Sequence, residues 1–198
     1  MSKIDEYHPI DDLPTSLDMG GQPIRVQKLY GAWFVLNKEK RIKELIKVVK
    51  STNGYEGWNP DFSKDSLLLL GRWLKENITT RKMTKEEYME QRRKTPNYIE
   101  ICDWELTYRS MSLLYDAGIY FGETFNHTFP SYKWEQCLSR AKYYVDVGHM
   151  LIKINKYVMN PALQLRVIGL KLVEGTENEN VLYNMFENWT HYAKEEKK

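Results

Sequence analysis

Leu113-Leu114-Tyr115-Asp116-Ala117-Gly118-Ile119-Tyr120-Phe121-Gly122-Glu123-Thr124-Phe125 decides the fold. Read as a helix, this stretch is apolar on most faces, and such a helix belongs at the centre of an assembly. The pattern predicts a long helix from about Ile99 to Thr128, closed by Pro130. Gly118 and Gly122 lie four residues apart, on one face. Each glycine costs a helix about 1 kcal/mol relative to alanine. Using two on one face predicts close approach of a second backbone there.

The same helix carries polar residues in steps of three and four: Arg109, Ser112, Asp116, Tyr120, Glu123 and His127. Glu123 and His127 have the spacing of a divalent-metal pair or an acid and base. With Asp116 they form the candidate catalytic set. A metal site needs a further ligand, and His149 and Asp146 are the nearest in sequence. The competing expectation is architectural. Buried polar groups find partners, and Glu123 would bond backbone groups or a cation beneath the hairpin that carries Trp134. That reading expects no metal and no cofactor.

Towards the N-terminus, Val26, Leu29, Tyr30, Trp33 and Phe34 form one helical stripe, and Ile42, Leu45, Ile46 and Val49 another. Asn37 between them suits a cap for a second helix, with Glu39 in its first turn, unless the two run on as one. Ser51-Thr52-Asn53-Gly54 stops the run. Ser63 is a candidate cap for a helix to about Asn77 bearing Leu67, Leu70, Trp73 and Leu74. Thr84-Lys85-Glu86-Glu87 is a capping box opening a charged helix that ends before Pro96. Residues 1–24, broken by Pro9, Pro14, Gly20, Gly21 and Pro23, read as a flexible or extended arm without a packed element.

Towards the C-terminus, Tyr132-Lys133-Trp134-Glu135, Tyr143–Val147 and Met150–Ile154 are β-prone. They predict an antiparallel hairpin or three-stranded sheet within 132–158. Asn160-Pro161 opens a helix with proline in its first turn, and Gly175 ends it. Thr176-Glu177-Asn178-Glu179 reads as a second capping box, before Leu182, Met185, Phe186, Trp189 and Ala193 on one stripe. The expected fold is α+β and mainly helical. A bundle surrounds a long central helix, with a small sheet, in a single domain over 25–194.

Lys and Arg number 29 and Asp and Glu 27, a net charge of +2. That near-balance argues against a dedicated nucleic-acid binder. Leu67-Leu68-Leu69-Leu70 is too short to cross a bilayer. The N-terminus lacks the apolar run of a secretion signal. Cys102 and Cys137 then read as reduced thiols, and the expected compartment is the cytoplasm. Walker A, dinucleotide, nucleophile-elbow and zinc-protease motifs are all missing. Arg81, Lys82, Lys85, Arg92, Arg93 and Lys94 form a basic run. Glu86, Glu87 and Glu90 interleave it, so it reads as a solvated helix face. Cys102 lies among Glu100, Asp103 and Glu105, a setting that disfavours a thiolate, and is expected to be structural. Tyr55, Trp58, Tyr88, Tyr98, Tyr108, Tyr132, Tyr143 and Tyr144 exceed what one core readily hides, so a subset is expected on a binding surface.

Gly118-Ile119-Tyr120-Phe121-Gly122-Glu123, followed by Trp134 and then Asn160-Pro161, resembles a pattern in uncharacterised bacterial cytoplasmic helical proteins. Some of those are similar to immunity proteins encoded beside toxins. The resemblance spans roughly residues 104–190. It implies an architectural role for Gly118, Tyr120, Phe121, Gly122, Glu123 and Trp134, and no catalytic residues. The leading expectation is a non-enzymatic protein-interaction factor whose partner is a protein such as a toxin. Its candidate binding residues are Asp5, Glu6, Asp11, Asp12 and Asp18. The alternatives are a metal-assisted hydrolase using Glu123, His127 and Asp116, and a nucleic-acid-associated regulator using residues 81–94. Homo-oligomerisation stays open, and no membrane association is expected.

Overall fold

The computed structural model describes residues 7–195. Among them, six helices and two small antiparallel sheets form a mainly helical α+β fold. Helix α1 runs unbroken over Ile24–Ser51. Asn37 does not cap a second helix, because its side-chain amide donates to the Trp33 carbonyl, 3.0 Å away and one turn back. That bond leaves the backbone helical on both sides.

Helix α2 spans Ser66–Asn77. Ser63 Oγ accepts from the Ser66 amide at 3.2 Å, so the predicted cap holds the turn that leads in. Strand β1 (Thr80–Lys82) follows, then α3 (Lys85–Lys94), whose predicted capping box between Thr84 and Glu87 is present. Residues 99–107, expected as helix, are not helical. Strand β2 (Trp104–Leu106) pairs antiparallel with β1, Thr80 opposite Leu106. The central helix α4 therefore begins at Tyr108 and ends at Thr128, capped by Thr107 Oγ1 accepting from the Ser110 amide. It is shorter than α1.

Strands β3 (Trp134–Gln136), β4 (Met150–Ile154) and β5 (Tyr157–Met159) form the second sheet in that order. Tyr143–Val147, expected as a strand, is loop, with Tyr143, Tyr144 and Val145 exposed. The strand propensity is unused because the third place in the sheet is taken by β5. Asn155 at φ +54° turns the chain between Ile154 and Tyr157, which pair across a two-residue connection. Asparagine tolerates that left-handed conformation better than most residues.

Helix α5 (Pro161–Val173) starts as predicted, with Asn160 Oδ1 accepting from the Leu163 amide. Gly175 follows at φ +72°. The capping box predicted at Thr176 does not form. Thr176 Oγ1 donates to the Lys171 carbonyl instead, and α6 begins later, at Val181. Asn178 Oδ1 accepts from the Asn180 amide and shapes that turn.

One cluster of buried apolar side chains extends from Tyr7 to Phe186, with α4 at its middle. Gly118 meets the backbone of α5, since a Cβ there would lie 3.0 Å from Ala162 Cα and Pro161 O. Gly122 meets a side chain, the Trp134 ring. Residues 7–23 carry no helix or strand, yet Tyr7, Ile10 and Met19 are buried in the core. The segment is irregular but packed, which corrects the expectation of an unpacked arm for that part of it.

Candidate functional site

The polar stripe of α4 faces largely inward, and its members fasten several other parts of the chain to the helix. Ser112 Oγ accepts from the Ile10 amide at 3.1 Å and holds the N-terminal segment. Tyr120 shares a 2.7 Å hydrogen bond with Ser66 Oγ, and its hydroxyl accepts from the Phe62 amide at 3.3 Å. These bonds tie α4 to the start of α2. Arg109 lies over the Tyr7 ring, 5.5 Å from its centre.

Asp116 is fully buried. Arg41 on α1 binds it with two donors, Nε to Oδ1 at 2.8 Å and Nη2 to Oδ2 at 2.7 Å. The Tyr7 hydroxyl donates to Oδ2 at 2.5 Å and accepts from Arg41 Nη2 at 2.8 Å. Arg41 Nη1 also reaches the His8 carbonyl at 3.0 Å. Burial pushes the Asp116 carboxyl up to about 6, against the lowering effect of Arg41 and Tyr7. Burial, then the Asp116 charge, raises the Tyr7 phenol well above its ordinary range. Both carboxylate oxygens are thus engaged within the protein.

Glu123 Oε1 receives Lys38 Nζ at 2.7 Å and Trp134 Nε1 at 2.6 Å. One carboxylate oxygen thereby joins α1, α4 and β3. The His127 ring stacks on Phe62, centres 4.6 Å apart. Glu123, His127 and Asp116 therefore bond three different sets of partners and do not converge on a common point. Among the described residues, no group of three His, Cys, Asp or Glu side chains is placed to hold a metal ion.

The other sequence candidates are dispersed. Asp5 and Glu6 lie outside the described residues. Asp11 and Asp18 are exposed, while Asp12 accepts from Trp33 Nε1 at 3.1 Å. Half of the basic run on β1 and α3 is paired with acids. Arg81 binds Glu87 and Glu105, Lys94 lies 2.6 Å from Glu90, and Lys82 lies 3.6 Å from Asp103. Cys102 is a free, exposed cysteine. Of the aromatic set, Tyr55 and Trp58 are core, whereas Tyr98, Tyr108, Tyr143 and Tyr144 stand exposed.

A cleft of about 440 Å³ opens between the N-terminal segment, α4, the 143–149 loop and α5. Leu17, Met111 and Leu163 form apolar walls, with Asp18, His149 and Arg166 as its polar members. His149 is buried, its Nε2 lies 3.0 Å from the Leu17 carbonyl, and its Nδ1 has no hydrogen-bond partner among the described residues. The Nε2 proton therefore goes to Leu17, and the ring is neutral. Burial holds its pKa below the ordinary 6.5. A depressed folded pKa contributes stability that is present above the unfolded value and lost as pH falls below it. Asp116 acts with the opposite sign in the same window, so a difference measurement isolates the histidine. In urea unfolding, the stability advantage of wild type over His149→Gln is expected to shrink between pH 7 and pH 5. An advantage that does not change with pH would reject the neutral buried ring.

Sequence reasoning missed the outer face of α1. Leu29, assigned there to the core stripe, is 55% exposed, and Val35 and Leu36 are 68% and 81% exposed. The inner face is already complete with Tyr30, Trp33, Phe34 and Ile42. The available signal was the seven-residue interval from Leu29 to Leu36, which places both on one side of a continuous helix. Compared with known proteins, the chain matches no family model, no curated protein and no solved structure.

Proposed function

We propose that the chain is a non-enzymatic protein-interaction factor, an immunity-like or toxin-neutralising protein of bacterial type that acts by binding. The observation that carries this reading is the exposed aliphatic cluster of Leu29, Val35 and Leu36 on two turns of α1. Single exposed apolar residues are ordinary, but three on two turns of one helix, flanked by charged residues, favour an interaction surface. The polar groups of α4 are consistent with it. Their bonds serve to hold a rigid scaffold behind that surface.

The test uses a photo-reactive residue at Val35, with the same residue at exposed Glu86 on α3 as control. Irradiation in the native cell is expected to give one discrete protein adduct from position 35 and none from 86. Leu36→Glu is expected to abolish the adduct and to weaken the isolated complex at least tenfold, about 1.4 kcal/mol. It should not unfold the chain, because Leu36 supports no core contact. Equal labelling from both positions, or an adduct indifferent to Leu36→Glu, would reject the proposal.

A further inference from the structure

We infer that the outer face of α1 docks onto an acidic protein surface with an apolar spot at its centre. The inference rests on the interaction reading above and adds the chemistry of the partner.

Helix α1 carries many cations, and the fold sorts them. Lys38 and Arg41 turn inward to Glu123 and Asp116. Lys40 shares a shallow groove with Asp11, Asp12 and Glu44, and Glu44 also lies 3.3 Å from His8. The outward face retains Arg25 and Lys28 before the aliphatic cluster and Lys43 and Lys50 after it, with Glu39 as its acid. Arg25, Lys28, Lys43 and Lys50 are exposed and have no ionic partner among the described residues. From residue 25 to residue 50 the helix spans about 37 Å at 1.5 Å per residue. The order along it is cations, aliphatic patch, cations.

That order selects the occupant. In a second copy, antiparallel α1 pairing centred on the aliphatic patch sets Arg25 close to Lys43, offers an acid, Glu39, to Lys28 alone, and leaves Lys50 beyond the start of the facing helix with none. A two-fold contact then repeats the like-charge clash on both sides. A nucleic-acid duplex satisfies the cations but buries Leu29, Val35 and Leu36 against phosphates. A bilayer takes a helix whose apolar face sinks about 5–10 Å into the lipid boundary. Here the main apolar face of α1 is locked in the core, and the outer patch covers two turns. An acidic protein surface meets both requirements. Its carboxylates steer the encounter and fix register, and its apolar centre excludes water over Leu36.

The probe is a synthetic helical peptide of about 20 residues, about 30 Å long, with one leucine stripe and glutamates on both flanks. It is titrated into the full chain with amide chemical shifts as readout. The expected shifts map to residues 25–50. Affinity is expected to fall at least tenfold when salt reaches about 1 M, where screening acts within about 3 Å. K43E/K50E, whose side chains are exposed, is expected to keep the wild-type circular dichroism and lose at least tenfold in affinity. Shifts centred elsewhere overturn the inference. So does equal binding of the same peptide with lysine for glutamate, or tighter binding of phosphatidylserine vesicles or random duplex DNA at equal salt. The two proposals fail separately. If K43E/K50E leaves affinity unchanged while the Val35 adduct persists, the acidic partner is wrong and the interaction surface stands. If the Val35 adduct is absent, the surface itself is wrong.

Discussion

Arg41→Ala is expected to destabilise the fold by about 3–5 kcal/mol, the usual cost of removing one partner from a buried ion pair. The cost arises from what is left behind. Asp116 is wholly buried, and Arg41 supplies two of the three donors on its carboxylate. Tyr7 then remains as the single donor. The same substitution removes the bond to the His8 carbonyl, so the 7–23 segment loses one of its ties to α1. The pH dependence identifies the cause. The folded pKa of Asp116, about 6, lies above its ordinary 3.8 because of burial. The folded state therefore binds more protons than the unfolded state between those values, and this group adds stability as pH falls across that window. Without Arg41 the carboxyl is pushed higher still, so the variant gains more from acid than wild type does. Urea unfolding is expected to show the gap between them widest near pH 7 and narrower near pH 5. Arg41→Met with Asp116→Leu is expected to recover most of the loss, since an apolar pair leaves no uncompensated charge. A gap constant with pH would show that the lone carboxylate is not its source.

The partnership of Arg41 and Asp116 also marks where sequence reading stops. The two residues lie 75 positions apart, and no local pattern links them. The Thr84 capping box, the Asn160-Pro161 helix start and the Gly175 stop were legible because each is decided within one or two turns by backbone donors and allowed φ. Asn37 was ambiguous for the same local reason. Its amide can cap a new helix or bond back to the previous turn, and unbroken packing of Phe34 and Ile42 on one face favours the second. Residues 99–107 were misread because their structure is set by pairing with residues 80–82, and α3 intervenes. A three-residue strand leaves almost no periodicity to detect. For Glu123, the sequence left either backbone groups or a cation beneath the hairpin of Trp134 as partner. That the cation is Lys38 follows from the path of α1 alone. Leu29 was read as core because aliphatic residues in a helix are read so first, and Val35 and Leu36 drew no reading.

Gly122→Ala is expected to cost about 2–4 kcal/mol, although alanine is the better helix former by about 1 kcal/mol. The reason lies in the neighbour. A Cβ at position 122 would stand 2.2 Å from Trp134 Cζ2 and 2.5 Å from Cη2, so the indole ring must move. The ring is restrained on two sides, by its 2.6 Å bond to Glu123 and by Phe34, whose ring centre is 4.9 Å away. Overpacking costs about 1–3 kcal/mol. Losing a hydrogen bond to a charged group adds about 1.5–3 kcal/mol. The gain in helix propensity offsets part of the sum. Displacement also separates α4 from β3, because Glu123 Oε1 is the atom that joins them to Lys38. Near-ultraviolet circular dichroism should record the altered indole environment together with the lowered Tm. A double-mutant cycle separates this clash from a general intolerance of the site. In a Trp134→Leu background the added methyl meets no ring, and Gly122→Ala is expected to be neutral or mildly stabilising. An equal cost in both backgrounds would mean that the glycine answers to something other than Trp134.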